Sequence, residues 1–181
     1  MIKIIATLLT IFAFSTSHAK KVNVGIILGF TGPIESLTPD MAAGAELAFS
    51  EASNSGNLLN GSKINVIRAD STCIDSAAAT SAAEGLVSQG VTAIMGADCS
   101  GVTGAILSNV AVPNGVPMIS PSATSPGLTT AEDNGLFFRT APSDARGGEV
   151  LADITADRGI TSVAITYVNT DYGVGLADVY E

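Results

Sequence analysis

The chain has 181 residues, 46% of them hydrophobic and only 14% charged, with 8 Lys and Arg against 17 Asp and Glu and a formal net charge of −9. No run of cations is present, so the composition speaks against a nucleic-acid partner, whose binding rests on Lys and Arg contacts to phosphate. The acidic balance favours solubility and identifies no partner.

The first 19 residues read as a targeting segment. MIKIIATLLTIFAFSTSHA sets Lys3 before an apolar run from Ile4 to Phe14 and ends in Ser17-His18-Ala19. A cation, a short apolar run and small residues flanking a cut make a secretory signal, with cleavage expected after Ala19. The run is too short to cross a bilayer as a helix, and no Cys stands at the cut to carry a lipid. The expected product is exported and periplasmic.

The only histidine, His18, leaves with that segment. What remains can build no Ser-His-Asp or Cys-His centre, and a zinc site would lack its commonest nitrogen ligand. An enzyme is therefore not expected, and neither is a metal or a cofactor. The two cysteines, Cys73 and Cys99, are an even count in an exported chain and suggest one disulfide. Two free thiols are the alternative.

In chain order, KVNVGIIL (21–28) is a β-branched apolar run and reads as a buried strand. The spacing of Met41, Ala45, Ala48 and Phe49, with Pro39 and Asp40 suited to a first turn, predicts a helix over 38–52. KINVIRA (63–69) is a second strand. An Ala-rich helix over 76–88 follows Asp75 as its cap and stops at Gly90. A third strand over 91–96 precedes a helix over 102–112, ended by Pro113. A fourth strand runs over 115–120, and Phe137 to Thr140 is a short extended piece. Ser143 caps a helix over 143–158 that stops at Gly159. A further strand is predicted over 161–168, with a helix beginning at Val174.

This alternation predicts an α/β fold with a doubly wound parallel sheet. Ligands in such sheets bind beyond the carboxyl ends of the strands, where the strand order reverses. The loops after the strands are the candidate sites. The last strand and its barely begun helix suggest a chain cut inside a second α/β unit. The expected division is 1–19 signal peptide, 20–140 an N-terminal ligand-binding lobe, and 141–181 a crossover and the start of a second, incomplete lobe.

Three of these loops carry chemistry. Ala97-Asp98-Cys99-Ser100-Gly101 joins a strand to a helix, so its amides and the Ser100 hydroxyl face outward from a helix start and attract anions. Equally, Asp98 or Ser100 could serve only as the helix cap. ISPSATSP (119–126) places hydroxyls on a loop stiffened by Pro121 and Pro126. It offers donors and acceptors to a small polar ligand, or it is simply a hydroxyl-rich turn. Tyr172, in NTDYGVG, has an apolar ring and a polar tip that suit a pocket, or it is a surface aromatic. GFTGP (29–33) lacks the Lys-Ser/Thr ending of a phosphate loop and the three-glycine spacing of a dinucleotide motif.

Taken in order, GFTGPIES, MAAGAELAF, the Cys73 and Cys99 pair, GADCSGVTGA, PMISPSATSPGLT, FFRTAPSD and YVNTDYGVGLAD are specific together. The chain resembles the periplasmic substrate-binding proteins of branched-chain amino acid ABC transporters, of leucine/isoleucine/valine type, from about Lys21 to its end. The resemblance implies a type I periplasmic-binding-protein-like fold. Two hinged lobes close on a ligand and present it to a membrane permease, the protein acting as a monomer. It implies a Cys73–Cys99 disulfide and a Ser100 that binds the ligand's α-carboxylate. It implies that Ser122, Ala123 and Thr124 contact its ammonium and carboxylate through backbone and hydroxyl, and that Tyr172 contributes from the second lobe. Ser36 matches a side-chain position only loosely, because Glu35 to Asp40 departs from the family pattern. The expected function is capture of an amino acid or close analogue. The rivals are a sensing module of the same fold for an amide, urea or aromatic acid, and a hydrolase using Ser100 or Ser122, for which no base is visible.

Overall fold

The computed structural model describes residues 20–181; the expected signal peptide and its cut after Ala19 lie outside the described residues. Five parallel strands form one sheet in the order β2-β1-β3-β4-β5. They are β1 (Lys21–Leu28), β2 (Lys63–Asp70), β3 (Val91–Gly96), β4 (Met118–Ser120) and β5 (Phe137–Arg139). β1 and β2 pair along their whole length, from Lys21 opposite Lys63 to Leu28 opposite Asp70. The chain steps from β1 outward to β2 and then returns across β1 to β3, so the order reverses between β1 and β3.

The apolar run of β1 is explained by cover on both faces. Ile26 and Leu28 pack with Ala42, Met41, Ala45 and Phe49 of α1 (Thr38–Asn54). Ile27 faces the other way, into a larger cluster with Ala79, Ala83 and Leu86 of α2 (Ser76–Ser88) and with Val102 and Ile106 of α3 (Ser100–Ile106). Successive side chains in a strand point to opposite faces, so one continuous apolar run serves both cores. Each fully buried Leu or Ile contributes roughly 1.5–3 kcal/mol by its removal from water. Of the apolar positions expected on α1, Ala48 is exposed, and Ala42 takes the buried place. α2 is capped as expected: Asp75 Oδ1 accepts from the amides of Ala77 and Ala78, each at 2.9 Å.

Four expectations need correction. The helix expected over 102–112 begins at Ser100 and does not stop before Pro113. It passes through a π-helical stretch, Leu107–Ala111, into α4 (Val112–Asn114), and Gly115 ends it with φ 65°. Proline has no N–H and crowds the carbonyl one turn back, and the wider π turn gives its ring room. The fourth strand is shorter than expected, starting at Met118, because the Val116 amide is spent on Ala111 O of the preceding helix end. Most importantly, 161–168 is no strand. None of its residues enters a ladder and all are exposed. Its apolar pattern is that of a buried strand, but a strand needs a neighbour, and no described strand lies beside it. It instead borders an apolar groove with Leu151 of α5 (Ala145–Asp157) and Leu176 of α6 (Asp171–Asp178). α6 starts three residues earlier than expected because Thr170 Oγ1 accepts from the Gly173 amide at 3.3 Å and caps it there.

Candidate functional site

The strand-end loops gather around Asp98, which is 3% exposed. Its Oδ2 accepts from the Gly29 amide after β1 at 2.8 Å. Its Oδ1 accepts from Ser71 Oγ after β2 at 3.3 Å and from the Cys99 amide at 3.0 Å. Its own carbonyl accepts from Ser122 Oγ, after β4, at 3.0 Å. Neither Asp98 nor Ser100 caps α3, contrary to the simplest local reading: Cys99 is the cap residue and makes no side-chain cap bond. Asp98 turns back across the strand ends instead. Gly96 permits this turn. Its φ is +129°, and a Cβ there would overlap the Ile27 carbonyl.

Cys73 and Cys99 are joined, with Cα atoms 5.2 Å apart. The bridge fixes the loop after β2 to the residue that opens α3. On the next residue, Ser100 is 3% exposed, and its Oγ accepts from the Ser125 amide at 3.1 Å. Its proton has no acceptor among the described residues. Two loops distant in sequence are thus sewn together at the first turn of α3, where amides and helix dipole favour an anion.

The hydroxyl-rich loop is held from several sides. Ser120 Oγ donates to Ala97 O and accepts from the Ala123 amide at 2.9 Å. Arg139 of β5 donates through Nη1 to Ala123 O at 3.3 Å and Ser125 O at 2.9 Å, and through Nη2 to Thr129 Oγ1. It makes no ion pair among the described residues. Ala123 is fully buried with its amide and carbonyl both engaged inside the protein. Thr124 O accepts from the Asp144 amide at 3.0 Å, and its hydroxyl makes no hydrogen bond among the described residues. Asp144 Oδ2 is buried and has no partner there either.

Ser100 and Ser125 line a cavity of about 470 Å³ with Pro126, Leu128, and Asp171 and Val174 of α6. The Asp171 carboxylate comes up to the first turn of α3, against Gly101. Tyr172, expected to contribute from the second lobe, lines the apolar groove under α5 and α6 and is 45% exposed. Ser36 is exposed in the turn before α1 and makes no side-chain hydrogen bond among the described residues. The structure therefore brings Ser100, Ser122, Ala123 and Thr124 together and leaves Tyr172 and Ser36 outside that group. Sequence reasoning missed Arg139 and Asp144, and for Asp98 it offered only the alternative of a helix cap. The one local signal was an arginine in an apolar extended piece, Phe137-Phe138-Arg139, with no acid beside it.

At the edge of the site, Asp70 accepts from the Thr31 hydroxyl at 2.7 Å and the Thr72 amide at 2.9 Å. Burial alone would raise its pKa. The bonds from the Thr31 hydroxyl and from the amides of Thr72, Thr31 and Phe30 outweigh that and hold it below the usual aspartate value.

A Leu/Ile/Val-binding protein homolog 3 of Brucella melitensis is 32% identical over 171 residues, covering 93% of this chain and 45% of that protein. An ABC transporter substrate-binding protein of Desulfitobacterium hafniense, solved in complex with Leu, superposes with a TM-score of 0.70 at 28% identity, covering 89% of this chain and 46% of that one. A solute-binding protein of an ABC transporter from R. palustris, in complex with 4-hydroxybenzoate, has a TM-score of 0.73 at 20% identity, covers 89% of this chain and 42% of that one, and shares the fold. The chain spans about half the length of the relatives it matches. The family model described as periplasmic binding protein matches residues 21–181, and the chain belongs to that family.

Proposed function

We propose that the chain is the ligand-binding half of an extracytoplasmic solute-binding protein that captures an amino acid or close analogue for an ABC transporter permease. Residues 20–140 form the first lobe, and 141–181 are the crossover and the start of the second. The segment before Lys20 directs export and is cleaved after Ala19. The protein works as a monomer and binds without turnover.

One observation carries this reading. The nearly buried Ser100 hydroxyl, at the first turn of α3, is bonded to the Ser125 amide and keeps its proton for an outside acceptor. A carboxylate suits that position, since it accepts from the hydroxyl and from the amides of the helix start, where the Asp171 carboxylate already lies against Gly101. Close by, and among the described residues, Thr124 has an unused hydroxyl and Asp144 a buried carboxyl oxygen with no donor. Buried acceptors without partners are rare, and an ammonium would satisfy this one. In this reading Ser122 and Ala123 hold the shape of the rim, Thr124 touches the ligand, and Tyr172 and Ser36 reach it only on closure of the complete cleft.

The test is a thermal scan of the full-length protein, carrying the second half that the relatives possess, against amino acids, amides, urea, small carboxylates and sugars. A ligand at 100 times its Kd adds about 2.7 kcal/mol. A raised Tm with a subset of amino acids supports the reading. A rise only with amides, urea or aromatic acids replaces the ligand, and hydrolysis of an ester or amide that is lost in Ser100→Ala would replace binding by catalysis.

A further inference from the structure

Asp98 stands at the reversal of strand order, where the crevice of a doubly wound sheet opens. It is a buried carboxylate that accepts from Gly29 after β1, Ser71 after β2 and the Cys99 amide before α3, while its carbonyl accepts from Ser122 after β4. Two of its three donors are backbone amides. No cation pairs with it among the described residues. A buried charge without a counter-ion is costly unless hydrogen bonds satisfy it, and here they tie the loops after β1, β2 and β4 to the one residue.

Ser100 is two residues away on the same loop, and Ser122 is bonded to Asp98 directly. The placement of both therefore depends on this carboxylate. Its charge also has a consequence that its shape does not. A negative charge buried beneath these loops, two residues from Ser100, repels any ligand of net negative charge, whereas a zwitterion feels opposing effects at its two ends.

We propose that Asp98 is a positioning residue of the ligand cradle and that its fixed charge makes the cradle prefer a zwitterionic amino acid over a carboxylate that lacks an ammonium. The inference rests on the amino-acid reading above.

The experiment is calorimetric titration of the full-length protein and its Asp98→Asn variant with two probes: the standard amino acid that binds most tightly, and benzoate. Asn keeps the size of the side chain, removes the charge and turns one acceptor into a donor. Amino-acid affinity should fall about tenfold, and the preference for amino acid over benzoate should shrink by a further factor of about ten, the scale of one charge acting across roughly 10 Å at an effective dielectric of 20. Unchanged affinities overturn the proposal. So does a loss by one common factor for both probes, which is what a purely structural role gives. If the wild-type protein binds no amino acid, the amino-acid reading itself has failed. Should Asp98→Asn not fold, Asp98→Ser takes its place. It also removes the charge and keeps a hydroxyl that can accept from one of the two amides, so the same fall in amino-acid affinity and the same loss of preference over benzoate are expected. Unchanged affinities, or a loss by one common factor for both probes, overturn the proposal in that variant too.

Discussion

Removing the Cys73–Cys99 bridge is a quantitative test of how the site is held. The bridge closes a loop with a sequence separation of 26, for which the chain-entropy model gives about 3.5 kcal/mol. Against this stands local backbone strain. Thr72 and Cys73 both have left-handed φ, 58° and 70°, which L residues with side chains rarely adopt. Thr72 is held there by its own bonds, its amide to Asp70 Oδ1 at 2.9 Å and its hydroxyl from the Asp75 amide at 3.1 Å, and it stays strained without the bridge. Cys73 is then free to relax and recovers about 1 kcal/mol. The double variant Cys73→Ala, Cys99→Ala should therefore lose about 2.5 kcal/mol in urea unfolding followed by circular dichroism. Reduced wild-type protein should lose the same amount. A loss under about 1 kcal/mol, or disagreement between variant and reduced wild type, would refute the loop-entropy argument.

Other perturbations follow from packing and charge. Leu86, 1% exposed with its side chain over Gly25, should cost about 2–5 kcal/mol as Leu86→Ala in the same urea assay. Gly96→Ala should cost more than about 3 kcal/mol, or prevent folding, since it combines a φ of +129° with overlap on the Ile27 carbonyl; soluble yield and melting temperature report it. Asp70 has a lowered folded-state pKa, so its contribution is present above the usual aspartate value of about 3.9 and is lost as pH falls through the lower folded value. Thr31→Val removes the 2.7 Å bond, raises that pKa, and should move the acid unfolding midpoint to higher pH. Arg68 and Glu46 pair at 2.6 Å in an exposed position, so Glu46→Gln should change stability by less than about 1 kcal/mol.

What could be read from the sequence was what is local. The run VGIIL in β1, Asp75 before an Ala-rich stretch and the hydroxyl loop bracketed by prolines each carry their own cause, and each is found where expected. The disulfide needed only a compartment and a count. What could not be read depends on distant partners. Residues 161–168 have a strand's pattern, but pairing is decided by whether a neighbour lies alongside. Asp98 looks like a cap because Asp before a helix usually is one, and only the fold brings Gly29 and Ser71 within its reach. Arg139 sits 14 residues from Ser125 in sequence, so the one local signal, an arginine in an apolar piece, does not say that it holds the hydroxyl loop. Ala123 illustrates the limit from the other side: its position in the motif suggests contact with ligand, and only the fold reveals that its amide is bonded to Ser120 Oγ and its carbonyl to Arg139.

The central claim is that Ser100 and Thr124 together hold the charged head of an amino acid, and calorimetric titration of the full-length wild type beside Ser100→Ala and Thr124→Val tests it most directly. A hydrogen bond to a charged group is worth about 1.5–3 kcal/mol, so each variant should bind roughly 10- to 150-fold more weakly; without ligand, Thr124→Val should melt close to the wild type, whereas Ser100→Ala also strands the buried Ser125 amide and should lose about 1–3 kcal/mol. Wild-type affinity in both variants would contradict the account and place the ligand elsewhere on the molecule.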